Sequence, residues 1–215
     1  MRARSDPGAG PRAGRRLRLR LRLAPGGRRL AVPLALAAVP ATLLAPPVGA
    51  LLAALAATVA FFYRDPGRSP EGPGVLAPAD GRVSVIREED DRLRVGTFMS
   101  PLDVHVVRAP ARGVVEAASR SPGGNWPAFS KESERNERVT LSYGPVEQTL
   151  VAGALARRIT PYVGPGVEVA RGERVGHIAF GSRTDLLFPP SVDRADLEVE
   201  VGDRVRAGET VLVGG

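Results

Sequence analysis

The chain has 215 residues, enough for one domain of about 150 residues with an appended segment. It contains no cysteine, which excludes disulfides, thiolate metal sites and cysteine nucleophiles. Its 30 basic residues include a single lysine, Lys131, so a lysine-anchored cofactor such as pyridoxal phosphate is disfavoured.

The net charge of +7 is concentrated at the N-terminus. Residues 1–29 hold ten arginines and one acid, Asp6, and therefore carry +9, which leaves −2 for the other residues. We interpret residues 1–29 as an Arg-rich leader on the cytoplasmic side of a membrane, since basic segments are attracted to that anionic surface. Nucleic-acid binding is not predicted, because no aromatic residue interleaves the arginines and leucines.

Residues 30–63 form the predicted membrane anchor, with no charged residue over 34 positions. One continuous helix of that length would reach about 50 Å, against a hydrocarbon core of about 30 Å. Proline disfavours helix interiors, so two helices are predicted, Leu34 to Ala45 and Val48 to Tyr63. The interrupting residues are Pro33, Pro40, Pro46 and Pro47. We expect a helical hairpin that turns near Pro46 and Pro47 and returns the next domain to the cytoplasmic side.

A secretory signal peptide is the alternative interpretation of this segment. Val48-Gly49-Ala50 resembles a small-residue cleavage site. The apolar run continues to Tyr63 and the basic leader is long, which favours the anchor.

Residues 64–215 form one predicted domain, mainly β (α+β), with an antiparallel sheet or barrel. Short β-rich runs bounded by Gly and Pro support this class. The predicted strands are Arg82–Ile86, Arg92–Phe98, His105–Val107, Gly113–Ala117, Val139–Tyr143, Glu147–Val151, Val175–Phe180 and Leu197–Val201. Ala152–Thr160 is compatible with a short helix or another strand.

Two segments, Val167 to Val175 and Val199 to Val211, have weakly similar sequences, and we call them the first and second echo segments. Both resemble the hairpins of biotinyl and lipoyl carrier domains, so hairpins of this kind are predicted in the β-rich domain. Neither segment contains the modifiable lysine of a carrier domain. The architecture is therefore predicted without swinging-arm chemistry, and a non-catalytic biotinyl-like binding domain stays an alternative.

Three short segments hold the residue types of a nucleophilic site: Ala77 to Gly81, Asp103 to Val106, and Phe180 to Arg183. In an Asp/His/Ser set, the histidine takes the hydroxyl proton and the aspartate stabilises the imidazolium. Asp-Gly and Gly-Ser pairs are also common in turns and loops, so spacing alone does not decide the function. His177 lies in an apolar strand pattern and is interpreted as structural.

The same segments resemble phosphatidylserine decarboxylase, in the short form associated with actinobacteria and archaea, from about Phe61 to the C-terminus. Six blocks in order carry the resemblance: Phe62 to Pro66, Pro78 to Gly81, Phe98 to His105, Asn136 to Arg138, Ala152 to Ile159 and Gly176 to Arg183. This family implies a proenzyme that converts phosphatidylserine to phosphatidylethanolamine and CO2.

The resemblance implies that Ser182 attacks the Gly181 carbonyl and cuts the chain into a β chain, 1–181, and an α chain, 182–215. Ser182 then becomes a pyruvoyl cofactor that forms a Schiff base with the substrate amine. His105 or a neighbouring base, oriented by Asp80, is implied to activate Ser182, and His105 is also the candidate for reprotonating the carbanion. The lack of a side chain on Gly181 is expected to let the hydroxyl approach closely.

The resemblance departs from the family's longer bacterial members at Arg108. Those members carry a second histidine there, to which the base role in self-cleavage is assigned. The base for Ser182 is therefore left open at this point, with His105 as a candidate for both steps. The long form also has Gly-Ser-Thr where this chain has Gly181-Ser182-Arg183. Arg157 and Arg158 are candidates for binding the substrate phosphate, with surface salt bridges as the alternative.

The implied partners are a phospholipid substrate and the membrane. The α and β fragments are expected to form a heterodimer, and two such heterodimers could associate as a dimer. The implied location is the cell membrane, with the catalytic domain on the cytoplasmic side. No metal site and no nucleic-acid partner are predicted. Two alternative functions use the same residues: an archaetidylserine decarboxylase, and a membrane-anchored serine hydrolase that does not cut itself.

Overall fold

The computed structural model describes residues 22–124, 126, 135–144, 146–153, 159–178 and 181–215. In these ranges the protein consists of two N-terminal helices followed by a β-rich domain. The predicted fold class is confirmed at this level.

Two helices, α1 (Gly27–Leu44) and α2 (Pro46–Phe62), follow each other with one residue between them. The prediction that Pro33 and Pro40 interrupt the first helix is wrong, because both lie inside α1. A proline in a helix interior costs about 3 kcal/mol. However, α1 packs along α2, and tertiary packing often overrides local propensity.

The hairpin turns at Ala45, directly before Pro46 and Pro47, as the sequence predicts. These prolines occupy the first turn of α2, where a missing backbone N–H removes no helical hydrogen bond. Close to the turn the helices touch: a Cβ atom on Gly49 would lie 2.1 Å from the Thr42 hydroxyl oxygen. Glycine is therefore needed for this approach.

The open ends of the two helices are tied together by backbone hydrogen bonds. The Ala24 N–H donates to the Tyr63 carbonyl over 2.7 Å, and the Asp65 N–H donates to the Arg22 carbonyl over 2.8 Å. The chain thus enters and leaves the hairpin at the same end. Most large apolar side chains of the helices are exposed, and α1 is long and apolar enough to cross a membrane by length and composition.

The β-rich domain has fourteen strands among the described residues. They are β1 (Val75–Leu76), β2 (Gly81–Glu89), β3 (Arg92–Met99), β4 (Val106–Arg108), β5 (Gly113–Val114), β6 (Ala117–Ser121), β7 (Arg138–Tyr143), β8 (Val146–Val151), β9 (Ile159–Pro161), β10 (Glu168–Val169), β11 (Arg174–Ile178), β12 (Ser182–Leu187), β13 (Arg204–Val205) and β14 (Val211–Val213).

Seven strands form the main sheet, in the order β13-β2-β3-β12-β8-β7-β6, with every neighbouring pair antiparallel. A three-stranded sheet, β4-β11-β9, and two strand pairs, β1-β14 and β5-β10, lie beside it. Among the described residues, two large clusters of buried apolar side chains form the core, one containing Met99 and Ile178 and the other containing Leu186 and Phe188. A third, small cluster joins Ala24 to Val104 and Val106. The main sheet places β12 between β3 and β8, in the middle of the domain.

Several strand predictions differ from the structure. The predicted strand Gly113–Ala117 is divided, because β5 ends at Val114 and β6 begins at Ala117. The short strands β1, β10, β13 and β14 were not predicted.

The predicted strand Leu197–Val201 is wrong: Leu197 makes only an isolated bridge, because the chain enters from a short 3-10 helix and turns again at residues 201–202. Strand β12 was not predicted, because its polar residues resemble a loop. In the structure Arg183 and Asp185 pair with each other at 2.8 Å, while Thr184 is buried on the opposite face.

The biotinyl- or lipoyl-like hairpins are not confirmed. In the first echo segment, β10 pairs with β5, and β11 pairs with β4 and β9. In the second, β13 pairs with β2, and β14 pairs with β1. Within each segment the two consecutive strands therefore pair with other strands and not with each other. The stretch 152–160 ends in β9, while residues 154–158 lie outside the described part of the chain.

Candidate active site

Two of the candidate segments meet at one end of the main sheet. Strand β2 begins at Gly81, directly after Asp80, and β12 begins at Ser182, opposite Met99 at the end of β3. A Cβ atom on Gly81 would lie 2.0 Å from the Phe98 carbonyl oxygen, so only glycine allows this close packing of β2 on β3. The sheet register therefore brings the Asp80 segment and Ser182 to the same end.

Ser182 is completely buried at the start of its strand. Its hydroxyl lies 3.9 Å from the Met99 sulfur, a weak hydrogen-bond acceptor. The preceding Gly181 is half-buried and has φ +61°, in the left-handed region that favours glycine. A Cβ atom there would meet nothing within 4 Å, so the backbone angle, and not the space for a side chain, explains the glycine.

His105 lies between β3 and β4 and is 1% exposed. Burial lowers its pKa, although a hydrogen bond with the Asp103 backbone and the charge of Asp103 oppose this change. The ring is therefore neutral at pH 7 and able to accept a proton. This protonation state is the one that a general base needs.

Asp80 is held by an arginine. Its carboxylate accepts hydrogen bonds of 2.8 and 2.6 Å from Arg68 and one of 2.8 Å from the Ala207 N–H. The side chain of Arg68 is 8% exposed and that of Asp80 is 15% exposed, so the ion pair is largely shielded from solvent. Burial is the largest influence on the pKa of His105, and the charge of Asp80 opposes that lowering weakly. Asp80 thus acts on His105 at least through its charge.

The loop that carries His105 is closed by Asp103. The Asp103 carboxylate accepts hydrogen bonds from the Ser100 N–H at 2.9 Å and the Ser100 hydroxyl at 2.7 Å. Its other oxygen pairs with Arg204 at 2.9 Å. These contacts hold the turn that connects Met99, which lies opposite Ser182, to His105. The spacing of Ser100 and Asp103, three residues apart, is typical of such a turn, a signal that sequence reasoning missed.

A sequence model of the family described as phosphatidylserine decarboxylase matches residues 55–213. The chain belongs to this family. It is 55% identical over 185 residues to a Halobacterium salinarum protein with the provisional name archaetidylserine decarboxylase proenzyme, a match that covers 86% of this chain and 94% of that protein. It is 51% identical to the phosphatidylserine decarboxylase proenzyme of Thermobifida fusca over 164 residues, 74% of each chain. The proenzyme of Streptomyces coelicolor is also 51% identical, over 73% of each chain.

Arg108, which is expected to replace a second histidine of longer family members, is engaged in an ion pair. Its guanidinium donates to Asp65 at 2.7 Å and to the Gly172 carbonyl at 3.0 Å. Asp65 is 2% exposed and also binds Arg174 at 2.7 Å. Burial lowers the pKa of Arg108 and the charge of Asp65 opposes it. An ion-paired guanidinium cannot act as the base.

His177 lies in β11 and is buried, as its strand pattern predicts. Its ring stacks on Tyr63, with centroids 5.0 Å apart and planes 10° apart. Burial, followed by the charge of His105, lowers its pKa to about 4. It is therefore neutral at pH 7, and it packs β11 against the end of the hairpin.

Sequence reasoning missed the ion pairs that hold this region of the family fold, Arg68–Asp80 and Asp65 with Arg108 and Arg174. The two residues of such an ion pair are up to 109 positions apart in the sequence, so no local sequence pattern predicts them. Arg157 and Arg158, the candidates for binding the substrate phosphate, lie outside the described residues. Among the residues that the structure describes, no group of three or more His, Asp or Glu side chains could hold a metal ion.

Proposed function

We propose that this chain is a membrane-anchored proenzyme that decarboxylates the serine head group of a phospholipid, using a pyruvoyl group made from Ser182. The observation that carries the proposal is the position of Ser182. It is buried at the first residue of a central strand, at the sheet end where Asp80 lies and next to the loop that leads to His105. Family membership supports the same reaction.

The residues at this position fit a pyruvoyl group. A pyruvoyl carbonyl supplies an electron sink for the loss of CO2 without needing a lysine, and this chain has one lysine in 215 residues. Ser182 would present that group from a strand fixed by neighbours on both sides, so its orientation is set by the sheet. Burial excludes bulk water from the same point.

Self-cleavage requires the Ser182 hydroxyl to lose its proton. His105, neutral because burial lowers its pKa, accepts the proton as the Oγ atom attacks the Gly181 carbonyl. The Gly181–Ser182 C–N bond breaks, the nitrogen of Ser182 takes a proton, and an ester joins the two segments. Loss of the Ser182 Cα proton and cleavage of its Cβ–Oγ bond then release the Gly181 carboxylate and leave dehydroalanine at residue 182. The imine tautomer of dehydroalanine adds water and loses ammonia, which would leave the pyruvoyl carbonyl. Asp80 and Asp103 favour the imidazolium through their charges. In the later decarboxylation His105 would return a proton to the substrate carbon.

The two fragments are expected to stay together as a heterodimer. The 182–215 segment contributes β12, which is hydrogen-bonded to β3 on one side and β8 on the other. It also contributes β13, paired with β2, and β14, paired with β1. Cutting one peptide bond removes none of these contacts.

The helical hairpin is the proposed membrane anchor, with the catalytic domain on the cytoplasmic side. Its large apolar side chains are exposed, and both of its ends lie together at the β-rich domain. Arg22, Arg28 and Arg29 of the Arg-rich leader lie at this same end, which favours the anionic cytoplasmic surface. A phospholipid substrate would then reach the site without leaving the bilayer.

Phosphatidylserine is the proposed substrate, and archaetidylserine is the second candidate. The names of the relatives divide between these two lipids. Both carry the same serine head group, and they differ in ester or ether linkage of the chains. CO2 release from each lipid in separate vesicles distinguishes them.

Intact mass of the purified protein tests the proposal. We expect a split after Gly181, with a small fragment whose mass shifts on borohydride reduction. Ser182→Ala should give one uncut, inactive chain, while the matched control Thr184→Val, on the same face of β12, should still split. For His105→Ala we expect slower splitting and slower CO2 release, and unchanged rates of both would remove it from the mechanism.

A different result would overturn this assignment. An uncut wild-type chain that hydrolyses phospholipid and reacts with a fluorophosphonate would be a serine hydrolase. A Ser182→Ala chain that still splits would refute the role given to this residue.

A further inference from the structure

A groove lies where the helical hairpin meets the β-rich domain. One wall is the start of α1, including Arg28 and Arg29, and the other is formed by Thr160, Arg174 and His177. Its volume is about 680 Å³, within the usual range for small-molecule sites, about 300–1,000 Å³. A second cavity, lined by Arg22, Arg28 and Arg174, adjoins it. We call these two cavities together the hairpin-base groove.

The hairpin-base groove is cationic. None of the described residues that line it is acidic. Arg28 and Arg29 are exposed, and within the described ranges their guanidinium groups make no hydrogen bond or ion pair. Arg174 is fixed at the wall because it donates to the buried Asp65 at 2.7 Å. Planar guanidinium groups match phosphate oxygens, so the groove is complementary to a phosphodiester.

The surroundings of the groove identify the kind of phosphodiester. Above it stands the hairpin with exposed apolar side chains, including Leu30, Val32 and Leu36. Charged side chains at the end of an apolar helix lie at the head-group level of a bilayer. A molecule that contacts both parts needs acyl chains and a phosphate in one structure, which is a phospholipid.

The inner wall of the groove leads towards the candidate active site. His177 faces the groove and pairs with Val106, the residue after His105. The Ile178 N–H, next along β11, donates to the His105 carbonyl over 3.2 Å. One strand therefore separates the groove from the loop of the proposed base.

We propose that the hairpin-base groove binds the phosphodiester of the serine phospholipid substrate through Arg28, Arg29 and Arg174, while the acyl chains lie along α1. This inference rests on the proposed function for the identity of the lipid. It places the phosphate at the membrane surface and points the head group towards His105. The chain would thus recognise a lipid by a groove that its own anchor completes.

Two measurements test the groove in non-ionic detergent micelles, where general attraction to an anionic surface is small. Native mass spectrometry of the Ser182→Ala chain measures retention of phosphatidylserine, with inorganic phosphate as the comparison ligand. Steady-state CO2 release from the otherwise wild-type protein gives KM and kcat. The variants are Arg28→Ala/Arg29→Ala and the conservative pair Arg28→Lys/Arg29→Lys. The control is Arg194→Ala/Arg206→Ala, which removes the same charge from exposed positions outside the groove.

For the alanine pair we expect lipid retention to fall and KM to rise about tenfold or more, the usual effect of losing charge-assisted hydrogen bonds. The kcat should change less than about twofold, because the reacting groups are untouched. The lysine pair should recover part of the affinity, and the control should match the wild type. Inorganic phosphate should not be retained, since it lacks the acyl chains.

The proposal is overturned if the alanine pair keeps both lipid retention and KM, or if its losses equal those of the control. It is also overturned if Arg157→Ala/Arg158→Ala raises KM while the Arg28/Arg29 variants do not. Retention without any CO2 release from the wild type would instead count against the proposed function. The two failures are therefore distinguishable.

Discussion

The buried carboxylate of Asp65 supports a quantitative prediction about stability. It binds Arg108 and Arg174 at 2.7 Å each, and its side chain is 2% exposed. In Asp65→Asn the nearly isosteric amide leaves Arg108, 11% exposed, without a counter-charge. Breaking a buried ion pair by removing one partner costs about 3–5 kcal/mol. The Arg174 contact is 40% exposed on the arginine side and adds no more than about 1 kcal/mol.

Thermal unfolding measures this effect. The total cost is about 3–6 kcal/mol. At about 2–4 °C per kcal/mol for a chain of this size, Asp65→Asn should lower Tm by about 6–24 °C. Far-UV circular dichroism in detergent is suitable, with both proteins carrying Ser182→Ala so that one uncut chain unfolds. The matched control is Glu168→Gln, which removes an ion pair with Arg112 whose side chains are 63% and 78% exposed and should cost at most about 1 kcal/mol. If Asp65→Asn loses no more than the control, the reasoning about Arg108 is refuted.

Three further predictions concern the neighbouring residues. Arg108→His restores the histidine of the longer family members but removes the hydrogen bonds to Asp65 and Gly172, so we expect lower Tm and no faster self-cleavage; faster appearance of the fragments on a gel would contradict this. The folded pKa of His177 is about 4 and its ordinary value is 6.5, so the unfolded chain binds a proton that the folded chain does not. Stability should fall as pH drops through this range, by about 3 kcal/mol near pH 4. In denaturant titrations His177→Phe, which can still stack on Tyr63, should reduce the slope, and an unchanged slope would exclude this source. Gly181→Ala should cost about 1–2 kcal/mol because of its positive φ, and it should slow cleavage without unfolding the chain; a mass spectrum showing wild-type cleavage rates would refute the need for that backbone angle.

The sequence predicted the helices and most of the longer strands because their signals are local. A run of 34 uncharged residues and short β-branched runs between glycines reflect burial and backbone geometry directly. The failures involve partners from elsewhere in the chain. Packing of α2 keeps Pro33 and Pro40 within a helix, and neighbours β3 and β8 turn the polar segment after Gly181 into a strand.

The candidate site was predictable in its residues and not in its contacts. Resemblance to a family drew attention to Asp80, His105 and Ser182, and the sheet register explains why the segments of Asp80 and Ser182 lie together. The family resemblance gave no indication that Arg68 binds Asp80, because that contact depends on the path of the linker after α2. Ion pairs of this kind follow from the fold and become visible only once it is known.

The central position of β12 affects whether the cleaved protein could refold after it unfolds. Before a cut at Ser182 the chain can unfold and refold as a single molecule. Afterwards the strand that fills the gap between β3 and β8 belongs to a separate 34-residue fragment, so recovery becomes a bimolecular encounter that dilution slows. The working lifetime of the mature enzyme would then be set by how slowly it opens, and no longer by an equilibrium between folded and unfolded forms.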